Sequence, residues 1–374
     1  MTMEASVRAR YSSGAQQVEP ALCCPVDYDA ALLKLLPQEI IDKDYGCGDP
    51  SRYVREGDTV LDLGSGGGKI CYMAAQLTGP AGLVIGIDMN DEMLALARKY
   101  QPEMSQKLGG DRVRFLKGRI QDLALDAEKL SVRLSENPVR SLADLVAMQA
   151  WEAEQREQRP MIADESIDLV ISNCVLNLVN DSEKQAMVNE IFRVVKPGGR
   201  VAISDIVSDE LISEPLKANP ELWSGCISGA FQELEFVNAF VRAGFTAVRL
   251  DRWDARPWRV VDGIEFRSAT LTAVKGEGRA CIDRGHAVIY RGPYSEVSDE
   301  EGHVFPRGER IAVCERTYRM MTQGSYRGDF IGIAPAVLGE PVNWCAPAGT
   351  RRPPAESKGG TQVTGELCEG DACC

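Results

Sequence analysis

The stretch 58-DTVLDLGSGGGKICYMAAQLTG-79 decides the fold. Asp58–Leu63 is a short apolar run, Gly64, Gly66, Gly67 and Gly68 break it, and a helical pattern follows at once. A strand that ends in glycines and opens a helix presents backbone amides at the helix N-terminus, where a ligand can come close. Working outward, the alternation repeats. GLVIGID (82–88) is a second strand with DEMLALARKY behind it as a helix, and RVRFLKG (112–118) is a third strand. SIDLVISN (166–173) is a fourth, EKQAMVNEIFRVV (183–195) a helix, and GRVAISD (199–205) a fifth strand. Strands alternating with helices of about ten or more residues predict parallel βαβ units in a doubly wound α/β sheet.

The rest of the chain arranges itself around that sheet. Residues 1–50 read as a helical lead-in: ALLKLLPQEIIDK is apolar at helical spacing, with Pro37 placed to begin a second short helix. Residues 51–250 form the sheet domain, interrupted at 123–163 by a charged stretch that reads as one or two inserted, exposed helices. From 251 to 345 the pattern changes. FRSATLTAVKG, HAVIYRGPYSEV and GERIAVCERTYRMM alternate at strand period between glycine and proline breaks, which predicts a small, β-rich α+β domain. Residues 346–374 read as a flexible tail ending in cysteines.

Composition excludes several classes of function. A formal charge of −13 leaves no basic face to follow a phosphate backbone, so no nucleic acid partner is expected. No apolar run of about eighteen residues occurs, so neither a spanning helix nor a membrane partner is expected. The opening MTMEASVRARYSSGAQ holds two arginines but no apolar segment, which argues for a cytoplasmic, reducing compartment rather than secretion. In that setting twelve cysteines are many. They are not packed into a short scaffold, so metalloid ligation, redox chemistry and core burial compete to explain them. Only His286 and His303 supply imidazole, and no C-x-x-C pair occurs, which leaves little for zinc.

A glycine-rich turn alone suits several cofactors, and the second strand narrows the choice. It ends in Asp88, about twenty residues beyond the glycines, where a carboxylate can accept both hydroxyls of a ribose. The strict G-x-G-x-x-G fingerprint is not met, and Asp62 suits a cationic methionyl group better than a pyrophosphate. VKPGGRV before the fifth strand resembles the corresponding turn of class I methyltransferases, Rossmann-like enzymes that hold adenine after the third strand, here GRIQD (118–122). The cofactor is therefore read as S-adenosylmethionine. Its expected contacts are Asp62, Gly64, Ser65, Gly66, Asp88, Met89, Met93, Arg119, Ile120 and Asn173.

Open α/β sheets bind ligands outside the carboxyl ends of their strands, and four cysteines fall near that rim. Cys71 lies in the first turn of the helix after the glycine loop, and Cys174 directly follows the fourth strand in SNCVLNL. Cys47 lies in YGCGDP before the first strand, and Cys226 in ELWSGCISGAF after the fifth. A single cysteine is ordinarily a small buried hydrophobe. Four around one methyl donor point instead to a soft, thiophilic acceptor, and the helix N-terminus is expected to help keep Cys71 deprotonated.

YGCGDP, DLGSGGGKICY, GIDMNDEML, SNCVLNL with the PGG turn, and ELWSGCISGAF together resemble the arsenite methyltransferase family over residues 40–245. The region YRGPYSEVSDEEGHVFPRGERIAVCERTY is similar to that family's C-terminal domain, and Cys373-Cys374 to its ending. The resemblance implies methylation of thiol-bound trivalent arsenic, for detoxification or organoarsenical synthesis, with a thiol reductant of glutathione or thioredoxin type. On matching positions Cys174 and Cys226 look like the principal As(III) ligands. Cys47 and Cys71 look like a pair that adds ligation and forms a disulfide while returning methylarsenic to the trivalent state. The family pattern has Arg-Asp where this chain has Lys69-Ile70, and Glu where it has Gly225. Two other readings stay open: a C- or O-methyltransferase of small molecules with packed cysteines, and a thiol-rich metalloid binder without catalysis.

Overall fold

A computed structural model describes residues 3–17, 19, 26–278, 280–335, 337–344 and 346–356. Cys23, Cys24, Cys345, Cys368, Cys373 and Cys374 lie outside them. The chain divides into two compact units, Met1–Gly276 and Glu277–Cys374.

The first unit opens with α1 (Met3–Gln16) and two short helices, Ala30–Leu33 and Gln38–Asp42, the latter with Pro37 at its N-cap. The alternating elements follow: β1 (Thr59–Leu63), α2 (Lys69–Leu77), β2 (Leu83–Asp88), α3 (Asp91–Lys99) and β3 (Val113–Lys117). Next come α4 (Ala127–Glu136), α5 (Leu142–Gln158), β4 (Ile167–Asn173), α6 (Asp181–Val194) and β5 (Val195–Ser208). The unit ends with α7 (Pro220–Ser224), α8 (Glu233–Arg242), β6 (Phe245–Trp253) and β7 (Ile264–Lys275). The main path through the sheet runs β3-β2-β1-β4-β5-β7-β6, parallel as far as β5. This is the doubly wound order of a class I methyltransferase.

Both faces of the parallel strands are covered, so they read as continuous apolar runs. Leu61, Leu63, Val170 and Ile203 pack into one buried cluster, and the alternate residues Val60, Leu169, Ile171 and Ala202 into a second. The PGG turn lies at the start of β5, where pairing with β4 slips between Ile167 and Leu169 and Gly198 takes a φ of 80°.

The expected boundary at 251 is corrected. β7 pairs antiparallel with β5 from Arg200↔Val274 to Ser208↔Phe266, and β6 pairs with β7. Phe266, Ala269, Leu271 and Ala273 are buried there, so the sheet extends to Lys275. Strand period could not say which sheet these residues join.

The second unit is a small α+β body. β8 (Ala287–Tyr290) sits between β9 (Arg310–Ala312) and β10 (Phe330–Ile333), with α9 (Glu315–Gln323) after β9. ERTYRMM, read from the sequence as strand, is therefore helix: the Cys314 side chain accepts from the Thr317 amide and caps it. The tail does not come free at 346. Ile311 bridges to Arg351, and the Ala312 amide donates to the Thr350 carbonyl. His286 and His303 are buried, His286 against Tyr318 and His303 on Asp299. Among the described residues no helix is long and apolar enough to cross a membrane.

Candidate active site

The loops at the carboxyl ends of the strands line a cavity of about 610 Å³, a volume suited to a nucleoside-sized ligand. Asp62, Gly64, Ser65, Gly66, Asp88, Met89, Met93, Arg119, Ile120 and Asn173 all face it. The glycine loop is shaped for close approach. Gly66 has a φ of 51°, and a Cβ there would meet nothing nearer than Met93 Sδ at 4.0 Å, so this backbone opens into space. Among the described residues Ser65 Oγ is buried without a partner. Asp88 is preset by the backbone, accepting from the Gly66 and Asn90 amides at 2.8 Å. A glycine cradle, an unpartnered hydroxyl and two carboxylates fit S-adenosylmethionine, whose ribose and ammonium need acceptors.

The sequence reading missed the wall contributed by α1. Glu4, Ala5, Val7, Arg8 and Tyr11 line the same cavity. Polar contacts hold α1 at two edges. Ser12 donates to Glu92 and Arg8 pairs with Asp91 at the start of α3, while Arg10 reaches the Glu221 carbonyl and Ser224 Oγ on α7. The only sequence trace is one stripe, Val7, Tyr11 and Ala15, at i, i+4, i+8.

Three of the four cysteines meet. Cys47, Cys174 and Cys226 are 4–5% exposed and share one apolar cluster with Ile206, Ile212, Ile227 and Phe266. Asn173, at the end of β4, brings the first two together. Its Oδ1 accepts from the Cys47 and Gly48 amides at 2.9 and 3.0 Å, and its Nδ2 donates to the Gly48 carbonyl at 2.8 Å. The glycines of YGCG permit this, since a Cβ at Gly46 would stand 2.0 Å from Asn173 Nδ2. Cys47 and Cys174 form a disulfide with a Cα–Cα distance of 5.8 Å. Cys226 Sγ lies 3.4 Å from the Cys174 carbonyl and 3.9 Å from the Tyr11 hydroxyl. Of the three, Cys174 faces the cofactor cavity.

Asp205, the last residue of GRVAISD, was also missed. It is fully buried and accepts from the Leu176 and Asn177 amides at 2.9 and 3.4 Å and from the Ile206 amide at 2.8 Å, which fixes the turn that carries Cys174. A carboxylate oxygen of Asp205 and the sulfurs of Cys47 and Cys174 lie within 4.8 Å of one another. Burial pushes this carboxyl up to about 7 against the pull of its backbone donors. A polar residue closing a buried strand is the signal that could have found it.

Cys71 corrects the expectation on two counts. It is fully buried in a different cluster, with Val60, Val84 and Ile171, and its thiol donates to Asp62 at 3.2 Å. The disulfide therefore joins Cys47 to Cys174, not to Cys71. Burial, and then the neighbouring Asp62, push the Cys71 thiol well above its usual range, so it is protonated despite the helix start. Lys69, where the family pattern has Arg, pairs with Asp44 at 2.9 Å and lies over the Tyr28 ring. Trp223 lines the cavity and donates to the Leu178 carbonyl at 3.3 Å.

This chain is similar to known proteins. A methyltransferase domain family matches residues 55–148 and 125–244, and a domain family of unknown function matches 277–362. An arsenite methyltransferase of Aquipseudomonas alcaligenes is 32% identical over 349 residues, 88% of this chain and 90% of that protein. One from Homo sapiens is 30% identical over 311 residues, 80% and 73% of the two chains. An arsenic(III) S-adenosylmethionine methyltransferase from Chlamydomonas reinhardtii has a similar structure, with TM-score 0.57, 26% identity, and coverage of 85% of this chain and 97% of that one. With its sheet order, its glycine loop and its grouped thiols, this chain belongs to the arsenite methyltransferase family.

Proposed function

We infer that this enzyme methylates trivalent arsenic from S-adenosylmethionine, and we propose that Cys174 and Cys226 hold the arsenic with Cys47 as their redox partner. The observation that carries the reading is three cysteines from distant stretches in one dry cluster, with Cys174 on the cofactor cavity. Thiolates are soft ligands and select thiophilic centres such as As(III). Asp62, Ser65, Gly66, Asp88 and the 119–120 turn would hold the cofactor, which supplies an electrophilic methyl group on sulfonium.

The protein's part is alignment and exclusion of water. Arsenic(III) already carries its nucleophilic electron pair, so no general base is required. This agrees with both histidines lying in the second unit. Capture exchanges hydroxide or glutathione on arsenic for protein thiolates and releases water or glutathione. The methylated arsenic is two electrons more oxidised. The Cys47 thiolate would return them by attacking the arsenic-bound Cys174 sulfur: the S–S bond forms, the As–S bond breaks, and its electron pair goes back to arsenic. We assign Cys47 and Cys174 to that exchange, since they are the pair found closed. A glutathione- or thioredoxin-type reductant must then reopen it, a requirement that suits a reducing cytoplasm.

The test is incubation with arsenite, glutathione and S-adenosylmethionine, followed by arsenic speciation. Wild type should form methylated arsenic, and Cys174→Ser and Cys226→Ser should lose at least about a hundredfold in rate, the scale of lost reactant alignment. Equal products from all three would refute thiolate capture. Arsenite binding without any methylated product would leave a metalloid binder.

A further inference from the structure

We propose that Cys71 is a positioning residue for the methyl donor: its thiol fixes the Asp62 carboxylate at the floor of the cofactor cavity. The inference rests on the reading of Asp62 as a contact of the donor's methionyl group. Asp62 faces the cavity yet is only 2% exposed. Among the described residues one hydrogen-bond donor reaches its carboxylate, the Cys71 thiol at 3.2 Å. Asp88, by contrast, is held by the amides of Gly66 and Asn90 and needs no side chain. A buried carboxylate with a single donor owes its orientation to that donor, and charge-assisted bonds are about twice as strong as neutral ones.

Cys71 is fully buried, and a Cβ on Gly86 would stand 2.7 Å from its sulfur and 2.8 Å from Ser65 Oγ. The thiol and the unpartnered Ser65 hydroxyl thus share one floor beneath the glycine loop. The other charged groups facing Asp62 are Asp44, itself paired with Lys69, and Asp88. Both oppose its ionisation, and burial lifts Asp62 to about 7; the Cys71 hydrogen bond acts the other way. Without that donor Asp62 would hold its proton at higher pH and lose its attraction for a cationic ammonium.

The experiment is calorimetric binding of S-adenosylmethionine to the reduced full chain, from about pH 6 to pH 9 across the Asp62 titration. Cys71→Ala should weaken binding about tenfold near neutrality, the scale of one charge-assisted hydrogen bond, and move the pH midpoint upward. Cys71→Ser keeps a donor and should recover most of the loss. In an Asp62→Asn background Cys71→Ala should cost nothing further. Wild-type binding by Cys71→Ala, or a loss that persists in the Asp62→Asn background, overturns the proposal. Wild-type binding by Asp62→Asn alone overturns the reading of Asp62 beneath it. If Cys71→Ala does not fold, the infrared S–H band that Cys71→Ser removes decides the matter. That band should shift between wild type and Asp62→Asn, and an unmoved band overturns the proposal.

Discussion

Cys174 and Cys226 each hold a φ of 60°, a region that non-glycine residues avoid at a cost of about 1 kcal/mol or more. In Cys174 the turn is over-determined by Asp205 and by the bond from its own amide to the Ser204 carbonyl. In Cys226 it follows a helix end whose amide donates to the Trp223 carbonyl. Replacing Cys226 by Gly should therefore leave a protein about 1 kcal/mol more stable than replacement by Ala, measured by denaturant unfolding, with both variants inactive on arsenite. Asp205 supports a pH prediction. Its folded pKa of about 7 lies above the unfolded value, so the stability it contributes is full below the unfolded pKa and is lost as pH rises through 7. Asp205→Asn removes that titration. Its melting temperature relative to wild type should rise by about 2–4 °C between about pH 5 and pH 8, and a flat difference would rule the titration out. The residues that line the cavity were legible because each sits at or soon after the carboxyl end of its own strand. The thiol pairing was not, because it joins positions 127 apart through Asn173 and Asp205, neither of which announces a contact. Cys71 misled for a related reason: its place in the first turn was right, but the helix turns its side chain onto β1 rather than toward the rim.

At the level of elements, the parallel strands were legible because buried βαβ units write themselves as apolar runs between glycines and helices. The helix α1 was legible only as a lead-in. Its face toward the cavity is one narrow stripe, and most of its attachment is polar: Arg119 to Glu4, Asn90 to Ser12, Arg10 to Ser224. The first of these ties is exposed and the other two are half-buried, each individually weak. The helix also joins the cofactor side, at α3, to the thiol side, at α7 and Cys226. Removing residues 3–16 should raise the KM for S-adenosylmethionine roughly tenfold, equivalent to about 1.4 kcal/mol of lost contact. The cooperative melt of the sheet should persist. Arg8→Ala alone should shift stability by less than about 0.5 kcal/mol, because its partner Asp91 is exposed. A truncated chain that binds cofactor like the whole would show that α1 is a spectator.

At the scale of the whole molecule, the cavity and the three grouped cysteines belong to the unit Met1–Gly276. The sequence placed the boundary some twenty-five residues early, because β6 and β7 carry strand period without any sign that they extend the parallel sheet. The difference has a practical consequence. A chain cut at 250 would strip β7 from β5 along its length, baring Ile203 and Val207 in the cluster that Leu271 and Ala269 complete. Loss of several such buried side chains, each worth about 2–5 kcal/mol, exceeds the whole stability of an ordinary domain. A chain ending at Gly276 keeps every strand of the sheet. The expectation is a soluble, cooperatively melting 1–276 fragment that binds S-adenosylmethionine within about threefold of the full chain by calorimetry, less than about 1 kcal/mol of difference, and a 1–250 fragment that does not fold. A 1–276 fragment that folds but binds cofactor weakly would move part of the binding energy into the second unit, whose core of Val288, Phe305, Ile311 and Phe330 is its own.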